Sequence, residues 1–178
     1  MTMIQLLGAA ALVLSLVGAA YAITAGALAG RLVRRAAAVL PNAPALTLLK
    51  PLRGDEGGLE RNLLSFLDQD YPGPVQMVLG VQDPADPALP VVEAVRRARP
   101  EADIAVVIDP EVHGANRKVS NLINMLAAAK HPTLVLSDAD IAVPPGYLAR
   151  IVAALAEPGV GAVTCYYRGE ARTARPMS

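Results

Sequence analysis

Two aspartates one residue apart, Asp138 and Asp140, follow an apolar run of strand character, Thr133-Leu-Val-Leu-Ser, and precede a pair of prolines. Where a strand ends, the backbone leaves the ladder, and both carboxylates are free to turn toward one ion. Hard oxygen ligands of this kind suit Mg²⁺ or Mn²⁺, and such a pair commonly holds a nucleoside diphosphate through its phosphates. Aspartate also caps turns and helix starts, so the motif alone leaves both interpretations open.

Further polar residues follow the other predicted strands. The segment Lys50-Pro-Leu-Arg-Gly-Asp comes after the first strand, and Asp83-Pro-Ala-Asp86 comes after the second. A basic segment that contains Lys118 and Asn121 lies near a predicted helix start, where free backbone amides favour phosphate. Taken singly, Asp83 and Asp86 are ordinary turn formers before proline, and Lys118 is an ordinary solvated helix residue. Their convergence at one edge is what favours a binding site.

The order of elements predicts that convergence. Apolar runs predict strands at residues 45–49, 75–81, 104–108, 133–137 and 160–166. Apolar spacing predicts helices at residues 58–70, 89–99, 118–129 and 146–156, the third with Val119, Leu122, Ile123 and Leu126 on one face. Strands that alternate with helices indicate an α/β fold with a mostly parallel, doubly wound sheet. Ligands of such sheets bind outside the carboxyl ends of the strands, so the polar loops predict a nucleotide-sugar site there.

The N-terminal segment has a different character. Residues 3–30 contain no charged side chain, and Arg31, Arg34 and Arg35 follow directly. About 26 residues of helix span roughly 39 Å, more than a hydrocarbon core of about 30 Å requires. A cleaved signal peptide is the alternative, but it has basic residues before a shorter apolar stretch. We therefore predict a retained transmembrane anchor at residues 1–35, with the following domain on the cytoplasmic side.

Composition excludes some classes of partner. The chain has 16 basic and 16 acidic residues, no Trp and one Phe. Nucleic acid is therefore not an expected partner, because phosphate tracking needs net positive charge and single-strand binding needs aromatic platforms. The single cysteine, Cys165, can form no internal disulfide, and its apolar surroundings predict a small buried core residue in a cytosolic domain.

Several motifs together resemble one family. In chain order they are Lys50-Pro-Leu-Arg-Gly, Asn62-Leu-Leu-Ser-Phe-Leu, Asp70-Tyr-Pro, Val81-Gln-Asp-Pro-Ala-Asp, Gly114-x-Asn-x-Lys-Val-x-Asn-Leu and Ser137-Asp-Ala-Asp-Ile. This combination is similar to the ceramide glucosyltransferases and the related bacterial hopanoid-associated glycosyltransferases. The resemblance covers residues 45–169, after a linker at residues 36–44 and before a tail at residues 170–178.

The resemblance implies a GT-A fold that uses a UDP-sugar and a divalent metal to glycosylate a membrane lipid, with inversion at the anomeric carbon. By position, Asp83 would contact the uridine and Lys118 the pyrophosphate, and Asp138 and Asp140 would hold the phosphates through the metal. Asn121 would also belong to the nucleotide-binding residues. The setting would be a membrane, as in the bacterial inner membrane. In this motif Arg117 replaces a common proline and Ser120 a common asparagine.

Members of that family continue well beyond the matched region, with a later acidic base and a Gln/Arg-x-x-Arg-Trp motif. We therefore expect this chain to be the donor-binding part, with its general base unassigned. Two other classes of protein are alternatives. Phosphohydrolases of the haloacid-dehalogenase type also place Asp-x-Asp after a strand, but they usually have Thr or Val where Ala142 stands. A membrane-anchored nucleotide-binding or interaction module without turnover is the other alternative.

Overall fold

The structure is a computed structural model that describes residues 2–33, 43–55 and 57–169. The chain divides into two compact units, residues 1–37 and 38–178, and each is described by itself. Part of the predicted linker, the positions of Arg34 and Arg35 and the predicted tail lie outside the described residues.

The first unit is one long helix, α1 (Met3–Val33). Its segment Met3–Gly30 has a mean hydropathy of 2.2 and no buried side chain in its most apolar window. At 1.5 Å per residue this segment is roughly 42 Å long, enough to cross a bilayer with some tilt. The predicted length and apolar character are confirmed, whereas membrane insertion and orientation stay predictions.

In the second unit, the described residues form four strands and four helices in alternating order. They are β1 (Leu46–Pro51), α2 (Leu59–Leu67), β2 (Val75–Val81), α3 (Ala88–Ala98), β3 (Asp103–Ile108), α4 (Arg117–Leu126), β4 (Thr133–Leu136) and α5 (Tyr147–Leu155). The strands form one parallel sheet in the order β3-β2-β1-β4. Alternating strands and helices therefore produce the doubly wound α/β architecture that the sequence predicts.

Helices cover both faces of this sheet. On one face α2, α3 and α5 pack against inward-facing residues of β1 and β2, with Leu48, Leu63 and Phe66 fully buried. On the other face Met125 of α4 packs against Leu49 and Val78. Because β1 and β2 are covered on both faces, apolar and polar residues do not alternate along them, and their polar residues Thr47, Lys50 and Gln76 are buried as well. Each fully buried aliphatic or aromatic side chain contributes about 1.5–3 kcal/mol.

Two sequence predictions near the C-terminal side are wrong. Residues 160–166 form no strand, since they pair with none of the described strands, and an extended segment is a stable strand only when its backbone groups find a partner. Cys165 is exposed rather than buried, because the segment that carries it lies outside both apolar clusters. The other predicted elements are confirmed, with ends that differ by up to three residues.

Helix α4 leaves much of its apolar face exposed. Val119, Ile123 and Leu126 are 48%, 43% and 47% exposed, and the buried side chains of α4 are Ser120, Asn121, Asn124 and Met125. Edge strand β4 likewise leaves Leu134 and Leu136 45% and 52% exposed. The β1–β4 pairing puts these two leucines on the face of the sheet that α4 covers over β1 and β2.

Candidate nucleotide-binding site

A cavity of about 760 Å³ opens beyond the carboxyl ends of β1, β2 and β4. Its position follows from the strand order. The chain runs outward from β1 through β2 to β3 and then returns to the other side of β1 as β4. Such a reversal leaves a crevice at the strand ends, where α/β proteins bind their ligands. The five sequence-predicted site residues all line this cavity: Asp83, Lys118, Asn121, Asp138 and Asp140.

Asp138 and Asp140 lie in the loop directly after β4, with Ala139 between them. The Lys118 ammonium donates to Asp138 Oδ1, and both side chains are about half exposed. Within the part of the chain that the structure describes, no three His, Cys, Asp or Glu side chains come together. The two carboxylates are hard donors that fit Mg²⁺ or Mn²⁺, and such ions usually complete their coordination with water and substrate phosphates.

Asp83 and Asp86 lie in the loop after β2 and have different environments. Asp86 is 8% exposed, and its Oδ1 accepts from the backbone N–H groups of Gly54 and Ala88, each at 2.8 Å. It therefore joins the loops after β1 and β2. Asp83 is exposed and uses Oδ1 in a turn with the N–H of Ala85, at 2.8 Å. Since Asp83 is exposed and Asp86 is buried, Asp83 is the one of the two that a ligand can reach.

The start of α4 presents a cation to the cavity. Asn116 caps the helix by accepting from the Val119 N–H at 3.2 Å, so the first turn is fixed with its remaining N–H groups directed outward. Lys118 follows in that turn. Positive charge and free amides in one place suit a pyrophosphate.

Close packing sets the distance between α4 and β2. Asn121 Nδ2 donates to the carbonyl of Gly80 at 2.9 Å. A Cβ added at Gly80 would lie 2.6 Å from Asn121 Oδ1 and would also overlap Met125. Gly80 therefore allows the helix to approach the strand closely. Asn121 Oδ1 is buried, and none of the described residues donates to it.

Lys50 is fully buried at the end of β1. Its Nζ donates to the Asp138 carbonyl at 2.8 Å and to Ser137 Oγ at 3.2 Å, and it lies 3.8 Å from the centre of the Phe66 ring. Burial lowers the pKa of Lys50 to about 7, although the nearby charges of Asp138 and Asp140 act in the opposite direction. The amine thus lies directly beneath the predicted metal loop.

Sequence reasoning placed Lys50 only in a polar loop and assigned no role to Asn62, which also lines the cavity. His113 is not among the residues that line the cavity, and its Nε2 lies 2.7 Å from Asn124 Oδ1. The position of Lys50 at the end of an apolar strand could have indicated a structural role, because a lysine side chain is rarely buried without a specific partner.

Solved structures with the same architecture identify the fold. A mannosyltransferase of Pyrobaculum calidifontis, solved in complex with GDP-Man and Mn²⁺, has a TM-score of 0.58 and 27% identity, and the match covers 87% of this chain and 46% of that one. S. aureus TarS (residues 1–349) has a TM-score of 0.50 and 19% identity over 62% of this chain and 32% of that one. The architecture is that of a GT-A glycosyltransferase.

Sequence comparisons give the family. The family model for glycosyl transferase family 21 matches residues 10–175, so the chain belongs to this family. The ceramide glucosyltransferase of Komagataella phaffii is 32% identical over 68% of this chain and 25% of its own length. Ceramide glucosyltransferase 1 of Caenorhabditis elegans is 28% identical over 59% of this chain and 22% of its own length. The chain thus spans about a quarter of the length of these relatives.

Proposed function

We propose that this chain binds a UDP-sugar and serves as the donor-binding part of a glycosyltransferase that acts on a membrane lipid of the ceramide or hopanoid type. One observation carries the proposal. A single cavity at the strand ends is lined by two carboxylates in one loop, a lysine at a helix start and an exposed aspartate. Family membership and the GT-A architecture support the same class of reaction.

Each of these residues contacts a different part of the donor. Asp83 accepts a hydrogen bond from the uridine, and Lys118 exchanges its contact with Asp138 for the pyrophosphate. Asn121 lies beside Lys118 on α4 and faces the nucleotide. A divalent ion between Asp138, Asp140 and the phosphates would neutralise the charge that develops on the departing nucleotide. Because two carboxylates repel a pyrophosphate without such an ion, nucleotide binding should depend on the metal.

Transfer itself needs a base for the acceptor hydroxyl. Among the described residues, the carboxylates that line the cavity are Asp83, Asp86, Asp138 and Asp140. Each already has a role in this proposal, in a turn or with the donor, so none is assigned as the general base. General-base catalysis raises the rate of such a reaction about 10²–10⁴-fold. We therefore propose that this chain alone binds the donor without transferring sugar at a useful rate, whether with inversion or with retention.

Calorimetric titration of the full chain in detergent tests the donor site. UDP is added with Mn²⁺ or with EDTA, and GDP is added in parallel because the solved mannosyltransferase carries GDP-Man. We expect UDP binding that requires Mn²⁺ and is lost in Asp138→Asn. Asp103→Asn is the matched control, since Asp103 pairs with Lys130 at 2.7 Å at the opposite end of its strand. Equal affinity in EDTA, or tighter binding of GDP, would show the assignment to be wrong.

Since none of the described carboxylates that line the cavity is assigned as the base, a second candidate is a membrane-anchored nucleotide-binding or interaction module without turnover. The chain is incubated with UDP-glucose or UDP-N-acetylglucosamine, Mn²⁺ and a lipid extract, and the lipids are analysed by mass spectrometry. A glycosylated lipid that disappears in Asp138→Ala would show that the chain is a complete catalyst. Metal-dependent UDP binding without any lipid product supports donor binding alone.

We further propose that α1 spans a membrane with the second unit on the cytoplasmic side. The support is the length and apolarity of Met3–Gly30 and the basic residues that follow it in sequence. Reporter fusions after residue 178 test the orientation. A fusion to a phosphatase that is active only in the periplasm should be inactive, and its activity would reverse the assignment.

A further inference from the structure

Two sequence motifs remain without a role in nucleotide binding, namely Lys50-Pro-Leu-Arg-Gly and Asn62-Leu-Leu-Ser-Phe-Leu. In the structure both motifs contact the loop that carries Asp138 and Asp140. Lys50 reaches it from the end of β1, and Asn62 reaches it from α2. The two side chains approach from the same face of the sheet, where Phe66 of α2 packs against the Lys50 amine.

Their hydrogen bonds are made to consecutive peptide units. Lys50 Nζ donates to the Asp138 carbonyl at 2.8 Å, and Asn62 Nδ2 donates to the Ala139 carbonyl at 3.0 Å. These carbonyls belong to the two peptide units that join Asp138 to Asp140. When both carbonyls are hydrogen-bonded, the backbone between the two aspartates has a fixed orientation. The directions of the two aspartate side chains are then fixed as well.

Helix α2 and the segment just after it also anchor the rest of this loop. Ser65 Oγ accepts from the Val143 N–H at 3.1 Å, and Gln69 Nε2 donates to the Pro144 carbonyl at 2.9 Å. Asn62 and Ser65 are three residues apart on one side of α2, and Gln69 follows two residues after the helix ends at Leu67. Polar groups of this segment thus bind the loop backbone in order, beginning next to the two carboxylates.

We propose that Lys50 and Asn62 are positioning residues that aim Asp138 and Asp140 at one divalent ion. The inference rests on the proposed metal-dependent donor site and deepens it. Neither residue touches the ion. They act through the loop carbonyls, as outer-shell hydrogen bonds orient the ligands of other metal sites, where their loss commonly lowers metal affinity about 10- to 100-fold.

Asn62 allows positioning to be separated from stability. It is 1% exposed, and its Oδ1 accepts from none of the described residues. Replacement by leucine keeps the approximate shape, removes this unsatisfied acceptor and deletes the donor to Ala139. The deleted Oδ1 has no partner among the described residues, and the Ala139 carbonyl that loses its donor belongs to a partly exposed residue that lines the cavity. Water can therefore satisfy that carbonyl, so Asn62→Leu should loosen the loop while the second unit remains folded.

The test measures the Mn²⁺ concentration that half-saturates UDP binding by the full chain in detergent. We expect Asn62→Leu and Lys50→Met to raise this concentration about 10- to 100-fold, with the melting temperature of Asn62→Leu in EDTA close to that of the parent. Gln69→Leu is the matched control, because it removes a loop contact farther from the aspartates. Lys130→Met controls for loss of an exposed lysine that pairs with Asp103. Neither control should move the half-saturation point.

An unchanged half-saturation point in Asn62→Leu overturns the proposal, as does an equal shift in Gln69→Leu. Amide hydrogen exchange in EDTA gives a second readout that needs no nucleotide. Exchange at residues 138–143 should accelerate at least about tenfold in Asn62→Leu, and unchanged exchange there would also overturn it. If the parent chain binds no UDP at any Mn²⁺ concentration, the proposed function fails, whereas the exchange result still decides whether Asn62 holds the loop.

Discussion

Replacing Gly80 by alanine tests the close packing between β2 and α4. The new Cβ would lie 2.6 Å from Asn121 Oδ1 and overlap the Cγ and Sδ atoms of Met125. Real Cβ atoms do not approach other heavy atoms that closely, so the helix must move or Met125 must leave its buried position. Overpacking of this kind costs about 1–3 kcal/mol, which corresponds to roughly a 5- to 150-fold change in the folding equilibrium constant.

The same movement should also affect the candidate site. Asn121 donates to the carbonyl of Gly80 at 2.9 Å, and Lys118 lies one turn earlier on the same helix. An outward shift of α4 therefore moves both residues away from the cavity. We expect Gly80→Ala to weaken Mn²⁺-dependent UDP binding in addition to lowering stability.

Urea unfolding measured by circular dichroism is the suitable assay, because the chain has no Trp for fluorescence. Gly114→Ala is the matched control, since nothing lies within 4 Å of its Cβ position, and it should unfold at the parent's midpoint or slightly above. A Gly80→Ala midpoint equal to that of the parent would refute the packing argument. A lowered midpoint with unchanged UDP affinity would refute the link from packing to the site.

Three further outcomes are expected. Lys118→Met should weaken UDP binding with Mn²⁺ about 10- to 100-fold by calorimetry, because a hydrogen bond to a charged group contributes about 1.5–3 kcal/mol; unchanged affinity would exclude a phosphate contact. In EDTA the free energy of unfolding should rise from pH 7 to pH 10, since burial lowers the pKa of Lys50 to about 7 and the unfolded chain binds the extra proton. Lys50→Met should remove that slope, and a slope that persists would assign it to other groups. Gln76→Leu should lower the melting temperature, because Gln76 Oε1 accepts from Thr47 and from the Lys130 N–H, each at 2.8 Å, and these donors would lose their partner. A melting temperature equal to that of the parent would contradict this.

The sequence predicted the four strands of the sheet well because each is mostly apolar and is bounded by turn formers. For α4 it identified the apolar face but not the face that is buried. Apolar periodicity identified Val119, Leu122, Ile123 and Leu126 as one face, but periodicity does not say which face is packed. In the structure Asn121 and Asn124 face the sheet because their amides bind carbonyls at and beyond the ends of β2 and β3. Those tertiary partners cannot be inferred from the helix alone.

The residues of the candidate site could also be predicted only in part. Asp138 and Asp140 could be identified from their spacing after a strand, and the strand-end rule brought Asp83 and Lys118 to the same cavity. Lys50 and Asn62 could not be assigned roles in this way. Their hydrogen bonds join residues 88 and 77 positions apart, so their meaning depends on the pairing of β1 with β4 and on the packing of α2.

The outer edge of β4 has a practical consequence for work on this chain. Leu134 and Leu136 are exposed on β4, whose outer edge pairs with none of the other described strands, and the exposed side chains of Val119 and Leu126 lie on α4. An apolar sheet edge pairs readily with another chain. Solutions of the second unit should therefore form oligomers as concentration rises even after α1 is removed, and light scattering would detect them. A charged residue on the edge, as in Leu134→Lys, should suppress this association. If the variant forms as many oligomers as the parent, the association involves a different surface.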